Sequence, residues 1–106
     1  MILTENLKDG TLTVCLKGEM DHHGAAAVRQ DVDELIIRSK PKKAVLVLSD
    51  INFCDSSGLG LIMGRYKTAV RVGATLSVMD PSPPVERMIK LAGMDKLIKI
   101  ERSARA

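Results

Sequence analysis

The chain of 106 residues has room for one hydrophobic core, and 45% hydrophobic residues with charges of both signs place it among globular proteins rather than disordered ones. Its net charge of +3 comes from mostly scattered lysines and arginines, and Phe53 and Tyr66 are its only aromatic residues, which argues against nucleic-acid binding by base stacking. No stretch approaches bilayer-spanning length, and no basic segment leads through an apolar run to a cleavage site, so a cytoplasmic protein with neither membrane nor nucleic acid as partner is expected.

Ile2, Leu3 and Leu7 suggest an extended segment, Asp9-Gly10 a tight turn, and the alternation of Leu12, Val14 and Leu16 with Thr13, Cys15 and Lys17 a returning strand. The segment Gly18-Glu19-Met20-Asp21-His22-His23-Gly24 breaks that alternation. Val28, Val32, Leu35 and Ile36 then recur at helical spacing, with an end near Ser39 ahead of Pro41. Ala44-Val45-Leu46-Val47-Leu48 reads as a central strand buried on both faces, and 49–54, with Cys54 in strand or strand-end sequence, leads to the next helix. Leu59, Ile62, Met63, Tyr66 and Val70 form an apolar stripe on a second helix, with Gly73 at its C′ position. A strand over 75–79, a Pro-rich loop and a third helix with Val85, Met88, Ile89 and Ala92 on one face come next. Leu97, Ile98 and Ile100 make the last strand. Strands alternating with helices imply a single α/β domain over 1–106, a mixed sheet of four to five strands with helices packed on it.

The most informative stretch is Asp55-Ser56-Ser57-Gly58-Leu59-Gly60, which opens the second helix. Asp55, Ser56 or Ser57 can serve as N-cap, and capping by itself would account for one of them. Two serines after an aspartate exceed what a cap requires, and a helix N-terminus readily accommodates a phosphate. Gly60 and Gly64 make a smooth strip one turn apart. Either the helix lies close on its own sheet there, the commoner cause, or a partner's backbone approaches.

Other chemistries fit less well. A cysteine phosphatase needs an arginine six residues after Cys54, where Gly60 stands, and a serine hydrolase lacks the glycine two positions before Ser56 or Ser57. His22 and His23 beside Asp21 are too few and too close together for a metal site. Cys15 and Cys54 read as small buried hydrophobes, and most methionines as core filling. No Walker or dinucleotide loop is present, so neither catalytic residues nor a cofactor are expected.

The segment from Phe53 to Lys67, Phe-Cys-Asp-Ser-Ser-Gly-Leu-Gly-Leu-Ile-Met-Gly-Arg-Tyr-Lys, resembles the signature of anti-sigma factor antagonists, above all the sporulation group that acts on sigma F. Gly18-Glu19-Met20-Asp21-His22-His23 resembles the same group's loop after its second strand, and the similarity runs from about Leu3 to Ile100. The resemblance implies a STAS domain that binds a nucleotide-binding anti-sigma factor which is also a serine kinase, so that the sigma factor is released. It implies phosphorylation by that kinase on Ser56, reversed by a PP2C-type phosphatase. Asp21, Asp55, Ser56, Ser57 and Gly58 are the expected partner-binding residues, with the roles of His22 and His23 left open. A stress-response adaptor or a lipid-transport accessory module of the same fold is the alternative. Residues 101–106 are short where relatives continue into a further helix.

Overall fold

The computed structural model describes residues 1–103; the last three residues of the short C-terminal end lie outside the described residues. β1 (Ile2–Lys8) and β2 (Thr11–Met20) form an antiparallel hairpin, in register from Ile2 opposite Lys17 to Lys8 opposite Thr11. Asp9 and Gly10 take φ of 52° and 79°, the doubly positive geometry whose twist matches that of the flanking strands. The chain continues through α1 (His22–Ser39), β3 (Lys43–Cys54), α2 (Ser56–Arg71), β4 (Thr75–Met79), α3 (Pro83–Leu91), a 3-10 turn at Met94–Lys96, and β5 (Lys99–Glu101).

The strands lie side by side in chain order, β1-β2-β3-β4-β5, with every neighbouring pair from β2 onward parallel. Each crossover steps in the same direction, so the right-handed rule gathers the helices on one face. Burial follows that geometry. Leu12, Val14 and Leu16 of β2, Ala44, Leu46 and Leu48 of β3, and Leu76 and Val78 of β4 share one core with Val28, Val32 and Ile36 of α1, Leu61, Ile62 and Ala69 of α2, and Val85 and Ile89 of α3. Residues of the opposite parity, such as Thr13, Cys15 and Lys17, face away from the helices.

Several expectations shift. β3 extends beyond its apolar run through Ser49, Asp50 and Asn52 to Cys54, because β2 keeps pairing with it past the point where β4 ends. Cys15 is exposed on the uncovered sheet face, and only Cys54 is buried. Leu97 caps the 3-10 turn and is 58% exposed, so the final strand begins at Lys99. On α2 the buried residues are Gly58, Leu61, Ile62, Arg65, Thr68 and Ala69, whereas Leu59, Met63 and Tyr66 are half-buried at the margin of the core and Val70 is exposed. The buried face is rotated because polar residues can join it. Arg65 pairs with Asp33 of α1, and Thr68 Oγ1 donates to the Gly64 carbonyl at 3.1 Å.

α2 ends as read from the sequence. Gly73, at φ 81°, donates to the Val70 carbonyl, and Ala74 donates to that of Ala69, satisfying the last-turn acceptors.

Candidate functional site

Parallel pairing sets Met20 of β2 opposite Cys54 of β3, and the Asp55 amide donates to the Met20 carbonyl at 3.4 Å. Both strands therefore end at the same level, and each is followed at once by an aspartate and a helix. Asp21 caps α1, its Oδ1 accepting from the Gly24 amide at 2.8 Å. Asp55 caps α2, its Oδ1 accepting from the Ser57 amide at 2.8 Å. The two segments singled out in the sequence, 34 residues apart, thus form one corner.

A shared pattern, Asp-X-X-Gly, builds both helix starts: Asp21-His22-His23-Gly24 and Asp55-Ser56-Ser57-Gly58. The glycines are required by proximity. A Cβ on Gly58 would lie 2.6 Å from Cys54 Sγ and 2.7 Å from the Met20 carbonyl oxygen, and a Cβ on Gly24 would collide with the Glu19 carbonyl oxygen. Each helix thereby lands with its first turn against a strand end. This repeated pattern was the sequence signal that both glycines are packing residues.

With Asp21, Asp55, Gly24 and Gly58 occupied structurally, the residues between them are left for display. Ser56 is exposed, and its hydroxyl has no hydrogen-bond partner among the described residues. Ser57 is half-buried. His22 and His23 are exposed, their rings edge to face with centroids 5.7 Å apart. Cys54 lies beneath the corner, where burial, and then the charge of Asp55, push its thiol up to about 11; a protonated, covered thiol is a poor nucleophile. No cluster of three or more metal-ligating side chains occurs among the described residues, and none of their helices is long and apolar enough to cross a membrane.

Sequence reasoning did not reach a groove of about 260 Å³ between α1 and α2, which His22, Arg29, Ser57, Gly60 and Arg65 help to line. Arg65 is 8% exposed, with Nε 2.7 Å from Asp33 Oδ1. Burial lowers its pKa from the ordinary value; the charge of Asp33 opposes this and that of Arg29 adds to it. Arg29 and Asp33 are neighbours at i and i+4 on α1, but only the packing of α1 on α2 brings Arg65 to them. Gly60 and Gly64 do not abut the sheet: nothing lies within 4 Å of where a Cβ would stand on either. The smooth strip is open, which removes the commoner explanation for it.

The STAS domain family matches residues 5–106. The chain is 44% identical to an anti-sigma F factor antagonist of Paenibacillus polymyxa over 91 residues, spanning 86% of this chain and 78% of that relative. Among solved structures, an anti-sigma factor antagonist from Mycobacterium paratuberculosis is 26% identical with a TM-score of 0.85, over 94% of this chain and 84% of that one. The fold is also that of the anti-sigma factor antagonist SpoIIAA. Its unphosphorylated form matches with a TM-score of 0.81 at 23% identity, covering 98% of this chain and 90% of that one. Its phosphorylated form from Bacillus matches at 0.76 and 22%, covering 98% and 93%. The chain belongs to the STAS family and, within it, to the anti-sigma factor antagonists.

Proposed function

We propose that this chain, acting as a single cytoplasmic STAS domain over 1–106, is a regulator without catalytic activity of its own that binds an anti-sigma factor and so releases a sigma factor, sigma F in sporulation. The anti-sigma factor is a nucleotide-binding serine kinase; it switches the antagonist off by phosphorylating Ser56, and a PP2C-type phosphatase restores it. Asp21, Asp55, Ser56, Ser57 and Gly58 form the docking patch. The observation that carries the reading is the exposed Ser56 hydroxyl at the first position of α2, without a hydrogen-bond partner among the described residues, amid neighbours already committed to capping and packing.

The switch follows from charge. A phosphoserine adds about −1.5 to −2 charge and three acceptor oxygens. The N-terminus of α2 stabilises such a group by about 0.3–1 kcal/mol, so the fold tolerates it. An interface built around a neutral hydroxyl does not, because a dianion must be desolvated within it. A hundredfold loss of affinity requires only about 2.8 kcal/mol.

The test is incubation with the cognate anti-sigma factor and ATP, followed by peptide mass spectrometry. Phosphate on Ser56 is expected, absent in Ser56→Ala, and Ser56→Asp should bind the kinase about a hundredfold more weakly while keeping its circular-dichroism spectrum. Phosphate on Ser57 would move the switch by one residue. No phosphate from a kinase active on another substrate would leave a constitutive STAS adaptor. Asp21→Asn keeps the cap, since asparagine caps equally well; weaker binding at unchanged stability is expected if the carboxylate itself meets the partner.

A further inference from the structure

The groove between α1 and α2 has an electrostatic imbalance that the fold does not resolve. Two guanidinium groups, Arg29 and Arg65, share its walls, and one carboxylate, Asp33, pairs with Arg65 alone, 2.7 Å from its Nε. Arg65 Nη1 is buried and finds no acceptor among the described residues, and Arg29 has no ion pair among them. A buried, charged donor without an acceptor is costly, and folds rarely leave one without a use. Ser57 lines the same groove at the positive N-terminal end of α2.

Size and access narrow the occupant. About 260 Å³ is below the roughly 300–1,000 Å³ of pockets that enclose drug-sized ligands, so a nucleotide is too large and a single acidic side chain is of the right order. Gly60 lines the groove with open space where a side chain would stand, so another backbone can approach its mouth. Ser57, the residue after Ser56, is part of the groove wall.

We propose that this groove is an oxyanion pocket that receives an Asp or Glu side chain of the protein partner docked at Ser56, an inference that rests on the partner-binding reading of that patch. The incoming carboxylate lies against Arg29 and Arg65, whose planar forks suit a carboxylate, and it neutralises the charge that Asp33 leaves over. Ser56 then acts as the switch and the arginine groove as the anchor, on one continuous surface.

The test is calorimetric binding of the cognate anti-sigma factor to the wild type, Arg29→Glu and Ser56→Asp. Arg29 is exposed, so its replacement leaves the core intact, and the substituted carboxylate is an internal competitor for Arg65. A loss of about thirtyfold or more is expected for Arg29→Glu, with partial retention in Arg29→Lys. Wild-type affinity in Arg29→Glu alongside weak binding by Ser56→Asp would overturn the pocket and leave the Ser56 reading standing. No binding even by the wild type would sink the Ser56 reading and, with it, the docked partner. The pocket is then decided by titrating the free chain with sodium acetate against sodium chloride at equal ionic strength, following the arginine Nε–H signals by NMR. A saturable, acetate-specific shift at Arg65 supports an oxyanion site, and identical responses to the two salts overturn it.

Discussion

The first turns of α1 and α2 are built alike and used differently. Each follows a strand that ends at the same level of the sheet, each is capped by an aspartate, and each has a glycine three residues on that fits against a strand end. Between cap and glycine, α1 carries two imidazoles and α2 two hydroxyls. At both starts the aspartate and the glycine have a folding role, in capping and in close packing. What is left unexplained by folding at α2 is Ser56, whose exposed hydroxyl has no hydrogen-bond partner among the described residues.

The sharpest way to break the comparison is to add a methyl group at each glycine. Gly58→Ala and Gly24→Ala each push a Cβ into a strand-end carbonyl and should destabilise by about 3 kcal/mol. For a domain of this size that lowers the melting temperature by more than about 10 °C. If only one of the two is destabilised, the two helix starts are not equivalent.

Next come the caps. Asp21→Ala and Asp55→Ala should each cost about 1 kcal/mol in urea unfolding, the usual value of an N-cap side chain. An effect well above 2 kcal/mol at one of them would indicate a duty beyond capping.

Smaller, and opposite in sign, is the effect at the open strip. Gly60→Ala and Gly64→Ala meet no neighbour and should raise stability by up to about 1 kcal/mol each through helix propensity, in contrast with Gly58→Ala two positions away. A melting temperature that falls in these variants would mean the strip is packed after all.

The smallest effect lies far from both corners and serves as a control. Hydrogen bonds from Arg102 and then Lys90 hold the Glu86 carboxyl down at about 2. A carboxyl lowered in the folded state contributes its stability above the unfolded value near 4.5 and loses it as pH falls toward about 2. Solvent screening keeps that contribution small. Glu86→Gln should therefore show a slightly shallower loss of stability than the wild type over that window, with no change at either helix start. Equal slopes would show that the ion pairs carry no weight.

Much of this was legible in the chain itself. Asp9-Gly10 specifies the hairpin because doubly positive φ is cheap there, Gly73 ends α2 for a similar reason, and alternation or helical spacing locates most elements. The run from Asp55 to Gly58 identified the helix start, and its resemblance pointed to the family. These are local properties, decided by residues within a few positions of one another. Only the tertiary structure decided that β3 keeps pairing with β2 beyond the end of β4, that α2 buries Arg65 and Thr68 while Val70 faces solvent, and that Cys15 lies on the open face of the sheet. The Arg29, Arg65 and Asp33 grouping is of the same kind. Burial and pairing depend on which surfaces meet across long separations in the chain, and a polar side chain reads as exposed until its distant partner is in place.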